Sequence, residues 1–286
     1  MSKDKNKVLI TGAGGQLGQE IVKVFEKDWV VIPTDNHNLD ITDEKHVQKV
    51  LTKEKPNLII HCAAWTNVDA AAENSDSAMK VNGEGTKIIC EAAKSIGATV
   101  VYISTNEVFD GKKKTSYTEE DKPNPINPYA KSKLAGEKYC QEILGSSCII
   151  IRSSWLYGPG SKNNFPNKII NKAREVGSLK VTSDEIATPT YTSDLAKAIK
   201  ELVEKDIAGV FHLVNSGQAS RYEWAKEIIN DKKIIVPITP MKLDDYPRAS
   251  KPPKYSALST EKAKKLGIAL RNWKNACREY LDTYLN

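Results

Sequence analysis

The segment Val8-Leu9-Ile10-Thr11-Gly12-Ala13-Gly14-Gly15-Gln16-Leu17-Gly18 reads as a strand, a glycine-rich turn and the start of a helix. Glycines 12, 15 and 18 recur at three-residue spacing. The first permits a tight turn, the second lets a pyrophosphate approach the backbone, and the third lets the helix lie close on the strand. The N–H groups of Gly15, Gln16 and Leu17 are expected to face the anion, reinforced by the positive end of the helix dipole. A glycine pattern of this kind is weak on its own. Its place between a strand and a helix makes it a candidate dinucleotide site.

Working outward, apolar runs at 30–32, 58–60, 99–104 and 148–151 read as further strands. Amphipathic stretches at 16–27, 43–53, 77–95 and 128–144 read as the helices between them. The strands are continuous Val/Ile runs, not alternating ones, which suits a parallel sheet covered on both faces. Repeated strand–helix units predict an α/β fold with a Rossmann-like doubly wound parallel sheet. Beyond Arg152 the rhythm loosens. Helical patterns remain at 164–176, 192–204, 221–230 (with Ser220 as N-cap) and 272–284, and a strand at 210–214; the proline-rich stretch 237–253 reads as a long loop. The expected organisation is an NAD(P)-binding domain over 1–152 and a smaller substrate-binding lobe over 153–286, interleaved with the last strands of the sheet.

Asp35 ends the second strand, about twenty residues past the turn, where an acid accepts hydrogen bonds from the adenosine ribose and repels a 2′-phosphate. Asn36, His37 and Asn38 follow it, with no Arg or Lys. This favours NADH and leaves NADPH open. Asp40 and Ile41 are expected to flank the adenine.

The bulk composition narrows the alternatives. The net charge of +6 is spread along the chain, and its densest cluster, Lys112 to Lys114, falls in a loop pattern. A nucleic-acid partner would call for a basic stripe on one element, so none is expected. Five cysteines, an odd number with no CxxC pair, point to a reducing compartment and to neither a disulfide framework nor a metal site. No apolar run is long enough to span a bilayer, and Met1 to Lys7 is polar, so no membrane partner and a cytoplasmic location are expected.

Tyr129 and Lys133 stand four residues apart on a predicted helix, so they share a face. Reducing a ketone needs a hydride and a proton for the developing alkoxide. Tyrosine titrates near pH 10, and a neighbouring ammonium would bring the phenol toward neutrality. A second such pair exists, Tyr222 and Lys226. Position separates them: Tyr129 follows a buried strand ending in Ser104-Thr105, at the carboxyl edge where open α/β sheets bind ligands. Thr105 is expected to hydrogen-bond the substrate oxygen.

These residues, with Ala63-Ala64-Trp65-Thr66, Val81-Asn82, Val108-Phe109-Asp110-Gly111, Tyr129-Ala130-Lys131-Ser132-Lys133 and Arg152-Ser153-Ser154-Trp155, resemble the extended short-chain dehydrogenase/reductase family, nearly from end to end. The resemblance implies reduction of the 4-keto group of dTDP-4-dehydro-L-rhamnose by NAD(P)H, with a dTDP-sugar as partner, and leaves a homodimer open. It places Ala63, Ala64, Trp65, Thr66 and Ile103 along the cofactor, Thr105 and Asn106 on the sugar nucleotide, and Trp155 against the substrate. A related epimerase or 4,6-dehydratase that holds its NAD tightly is the competing reading. The chain departs from the family pattern at Asn106 and Glu107, where Asp-Tyr is usual, and at Lys251-Pro252, where Arg-Pro is usual. A carboxylate at 107 opposes a diphosphate unless it turns away or a lysine such as Lys162 pairs with it.

Overall fold

The structure, a computed structural model, describes residues 6–285, so most of the polar opening Met1 to Lys7 lies outside it. Along β1 (Lys7–Thr11), Val8 and Ile10 enter one apolar core and Leu9 enters another. The same split recurs along β3 (Leu58–His61), β4 (Thr99–Thr105) and β5 (Cys148–Ser153): Ile60, Val101 and Ile151 face the first core, while Ile59, Tyr102 and Ile150 face the second. A sheet buried on both faces needs apolar residues at every position, which accounts for the unbroken runs.

With β2 (Val30–Thr34) and the strand Gly209–His212, these form a six-stranded sheet in the order 209–212, β5, β4, β3, β1, β2. Every pairing in it is parallel. The helix Gln16–Phe25 packs on one face through Leu17, Ile21 and Phe25, joined by Leu195 and Ile199 from the helix Thr192–Val203. The other face is covered by Val47, Leu51, Ile89 and Cys140 from three more helices. From β1 the chain winds one way to β2 and the other way to β3, β4 and β5. Such a reversal opens a crevice at the carboxyl ends of the strands.

A third core, around Tyr157, Trp224 and Tyr280, is built entirely from residues after 152. It carries small two-stranded ladders, among them Leu179–Thr182 paired with Ile238–Met241. The stretch 237–253 is therefore not only a loop. Ile238–Met241 forms a parallel strand despite Pro240, as proline is tolerated at a sheet edge. The helix expected at 77–95 is also interrupted: Ser75–Met79 and Gly85–Ile96 are joined by a π-helical turn, Lys80–Glu84. Ser220 caps Arg221–Asp231 in a capping box with Glu223. No helix among the described residues is long and apolar enough to cross a membrane.

Candidate active site

The glycine turn is shaped as its spacing requires. Gly12 has φ +65°, and a Cβ there would sit 2.8 Å from the Ala63 nitrogen. A Cβ on Gly18 would run into the Gly12 carbonyl oxygen and lie 2.7 Å from the Ala13 Cα, so only glycine lets the helix seat on the turn. The Gly15 N–H does not face an anion, because it donates to the Gly12 carbonyl at 3.0 Å. Gly15 supplies no side-chain cap to the helix, so the N–H groups of Gln16 and Leu17 stay available. The Gln16 Oε1 is buried without a partner, an acceptor in want of a donor.

This turn borders a cavity of about 790 Å³, a size typical of cofactor sites. Gly12, Gly15, Gln16, Leu17, Asp35, Asp40, Ile41, Ala63, Ala64, Thr66, Ile103, Tyr129 and Lys133 all line it. Asp35 Oδ1 accepts the His37 N–H at 2.9 Å. Asp40 Oδ1 accepts both the N–H and the hydroxyl of Thr42 at 2.8 Å, which holds its carboxyl below the usual range. The floor is fixed by buried His61. Its Nδ1 lies 2.7 Å from the Thr11 hydroxyl and its Nε2 lies 3.1 Å from that of Thr86. The Thr86 hydroxyl proton is committed to the Asn82 carbonyl, so Nε2 carries the ring proton. Burial and the Lys133 charge push His61 down to about 3, so it is neutral. The fit to a dinucleotide thus rests on a cradle that only glycine allows and on a helix end without its own cap.

The helix Pro128–Leu144 presents Tyr129 and Lys133, and its seat on the sheet decides where they point. Asn127 caps it, accepting the Ala130 N–H at 2.8 Å, and Pro128 opens it. One turn past Lys133, a Cβ on Gly136 would collide with the Tyr102 hydroxyl and lie 2.8 Å from the Asn82 carbonyl, so glycine brings the helix down onto β4. Glu137 then accepts hydrogen bonds from Ser104 on β4 and, bidentately, from Arg152 on β5, at 2.9 Å from Nε and 2.7 Å from Nη2. Asn82, in the π-helical turn, accepts the Trp65 N–H at 2.8 Å and donates to the Ser132 hydroxyl at 2.9 Å. The Asn82 amide thereby ties the loop at Trp65 to the helix that carries Tyr129 and Lys133.

Lys133 is buried, with its ammonium 4.2 Å above the centroid of the Tyr102 ring. Burial lowers its pKa to about 8, and Cys140, Glu137 and Cys62 restore it only in part. Tyr129 departs from the expected lowering. Burial and then the Glu107 charge raise its pKa, with the Thr105 hydroxyl opposing them. The phenol is held in its protonated form, which is the form that can donate.

Four of the expected site residues lie off the cavity wall. Trp65 donates its indole N–H to the Asn67 carbonyl at 3.2 Å. Thr105 is buried at the end of β4, where it accepts the Glu107 N–H at 3.2 Å. The Asn106 amide donates to the Ser256 hydroxyl at 2.6 Å, which pins the segment around 256 over the strand end. Trp155 adopts φ +44°, an uncommon conformation for a bulky residue, and stacks on Trp224 at 5.9 Å. Tyr222 and Lys226 lie together away from the cavity, with Tyr222 packed on the C-terminal core.

Glu107 does not pair with Lys162. Its Oε2 accepts from Asn127 at 2.7 Å, and the cations that bear on it are Arg248 and Arg221. Burial raises its pKa. Neither arginine is announced by the sequence, because each comes from a distant segment with no motif around it, whereas Glu137 lies one turn past Lys133 on the same helix and only its partners Ser104 and Arg152 come from elsewhere.

A family model described as "RmlD substrate binding domain" matches residues 6–286. A solved dTDP-4-dehydrorhamnose reductase from Clostridium acetobutylicum ATCC 824 is 42% identical with a TM-score of 0.93, covering 96% of this chain and 98% of that one. A dTDP-4-dehydrorhamnose reductase from Bacillus anthracis str. Ames, solved in complex with NADP, is 35% identical with a TM-score of 0.93, covering 97% and 99%. The spore coat polysaccharide biosynthesis protein SpsK of Bacillus subtilis (strain 168) is 36% identical, covering 96% of this chain and 97% of its own length.

Proposed function

This chain belongs to the RmlD substrate binding domain family, and we propose that it reduces the 4-keto group of dTDP-4-dehydro-L-rhamnose to give dTDP-L-rhamnose. The observation that carries this reading is the placement of Tyr129 and Lys133 on the wall of the cavity that begins at the glycine turn. When bound there, a reduced nicotinamide supplies the hydride. The protein supplies the rest. The N–H groups of Gln16 and Leu17 hold the pyrophosphate, and Asp35 accepts from the ribose. Lys133, with no carboxylate bonded to its ammonium among the described residues, is placed to hold the second ribose and to favour negative charge on the reacting oxygen. Tyr129 donates its phenolic proton to the alkoxide at C4, and Thr105 orients the substrate carbonyl.

The cofactor is NADH or NADPH. We favour NADH, because Asp35 lines the cavity and neither Arg nor Lys immediately follows it in sequence. The ratio of kcat/KM for the two cofactors tests this. The epimerase or dehydratase reading has weaker support, since the relatives above bearing an enzyme name are reductases and Asn106, the residue beside Glu107, is engaged with Ser256. The deciding experiment offers the keto sugar with NADH or NADPH and follows nicotinamide oxidation, for the wild type and for Tyr129→Phe. The variant should lose at least about a hundredfold in turnover while cofactor binding survives. Stoichiometric tightly bound NAD with no oxidation of added reduced cofactor would refute the reductase reading, and wild-type rates in Tyr129→Phe would remove this residue from it.

A further inference from the structure

The helix Pro128–Leu144 is tied down on both sides of Tyr129. After Tyr129, Ser132, Gly136 and Glu137 seat it through the contacts described above. Before Tyr129, the tie runs through Asn127, which is buried. The Asn127 amide is fully spent. Its Oδ1 accepts the Ala130 N–H as the helix cap, while Nδ2 donates to Glu107 Oε2 at 2.7 Å and, at a longer 3.4 Å, to the Lys251 carbonyl.

Glu107 sits in the short turn Asn106–Val108 that follows β4. Its backbone N–H donates to the Thr105 hydroxyl at 3.2 Å. One residue thus holds the Thr105 hydroxyl with its main chain and, with its side chain, the helix cap two residues before Tyr129. The 2.7 Å contact to Asn127 is in the range of bonds to a charged acceptor, and a carboxylate is favoured at the positive end of a helix. Tyr129 stands within the first turn of that helix, so the phenol moves with the cap. Neither Glu107 nor Asn127 lines the cofactor cavity, whereas Tyr129 does.

We propose that Glu107 is a positioning residue: through Asn127 it fixes the first turn of the helix against the end of β4, and so sets the Tyr129 phenol against the Thr105 hydroxyl. The assignment rests on the reductase reading above, in which those two groups meet the same substrate oxygen. It also gives a reason for the chain's departure from the family pattern at 107, since an aromatic side chain offers no carboxylate to the cap amide. A misplacement of about 1 Å can cost about a hundredfold in rate, so a bond that holds the cap acts on kcat without touching the substrate.

The test separates the brace from the cap. Asn127→Asp keeps an oxygen for the Ala130 N–H, and aspartate caps helices as well as asparagine does, but it has no N–H for Glu107. Adding Glu107→Gln to it restores the bond with donor and acceptor exchanged, and leaves the Lys251 contact broken, so recovery isolates the Glu107 arm. In Asn127→Asp, kcat should fall about tenfold or more. The double variant should recover most of that loss, with KM for the keto sugar and the calorimetric affinity for NADPH held in both. The Tyr129 ring, observed by NMR in protein carrying isotope-labelled tyrosine and assigned with Tyr129→Phe, should shift in the single variant and return toward its wild-type position in the double one. Wild-type kcat in Asn127→Asp would overturn the proposal. So would a double variant no faster than the single one, or NADPH affinity lost in step with kcat, since the bond would then be supporting the fold. If the wild type turns over no keto sugar, the reductase reading fails, and a Tyr129 signal that does not move in Asn127→Asp would still overturn the brace.

Discussion

Replacing Lys133 by Met should stabilise the protein while abolishing its reaction. Lys133 is 3% exposed, and its pKa falls from an ordinary 10.5 to about 8 because burial disfavours the charged form. Each unit of pKa corresponds to about 1.4 kcal/mol, so carrying this charge at neutral pH costs the fold about 3 kcal/mol. Against that stands the contact with the Tyr102 ring, 4.2 Å to the centroid, worth about 1–2 kcal/mol when desolvated. A thioether of similar reach fills the space without a charge, for a net gain of about 1–2 kcal/mol. The sign has a pH signature. Between about 8 and 10.5 the unfolded chain still holds a proton that the folded protein has released, so wild-type stability climbs through that window. The Met variant lacks this climb, and ionisations common to both proteins cancel in the difference. Urea unfolding should therefore place the variant ahead at neutral pH, with the gap closing as the pH approaches the upper limit. Turnover should fall at least about a hundredfold. A variant less stable than the wild type at both ends of the window would refute the reasoning.

Glu107→Gln keeps an acceptor for Asn127 and removes the charge beside Tyr129. Because the folded pKa of Glu107 lies above its ordinary 4.5, the wild type loses stability as pH rises past that value and the variant does not; the variant's urea midpoint should lead at neutral pH, with the lead shrinking in acid. Gly136→Ala puts a methyl against the Tyr102 hydroxyl and the Asn82 carbonyl, which should lower stability by about 1–3 kcal/mol and reduce kcat more than cofactor affinity, measured by thermal melts and steady-state kinetics. Gly14→Ala, whose Cβ meets no protein atom within 4 Å, is the matched control for stability and should leave the melting temperature near wild type.

Much of the frame was legible because its cause is local. Val8 to Ile10 had to be a doubly covered strand, since three consecutive apolar residues cannot alternate between core and water. Glycines 12 and 18 had to turn and seat the helix, since a Cβ fits at neither. Tyr129 could be chosen over Tyr222 from its distance to a strand end. Other features were not local. The strand Ile238–Met241 exists because Leu179–Thr182, some sixty residues earlier, offers it a partner; its own sequence, with a proline, reads as a loop. The π-helical turn at Lys80–Glu84 sets Asn82 between Trp65 and Ser132, two contacts that the sequence does not announce.

The sequence by itself determined the sheet, the glycine turn and the Tyr129–Lys133 pair, because each follows from backbone sterics or helical spacing within a few residues. Only the tertiary structure decided the electrostatics of that pair. Burial lowers Lys133, and Glu107 joins burial in holding the Tyr129 phenol protonated, where spacing alone had promised a lowered phenol. It also decided that Gly15 spends its N–H inside the turn, and that the charges of Arg248 and Arg221 act on Glu107. Charges act through space and through the solvent excluded around them, and neither the distance nor the exclusion is set until the chain has folded.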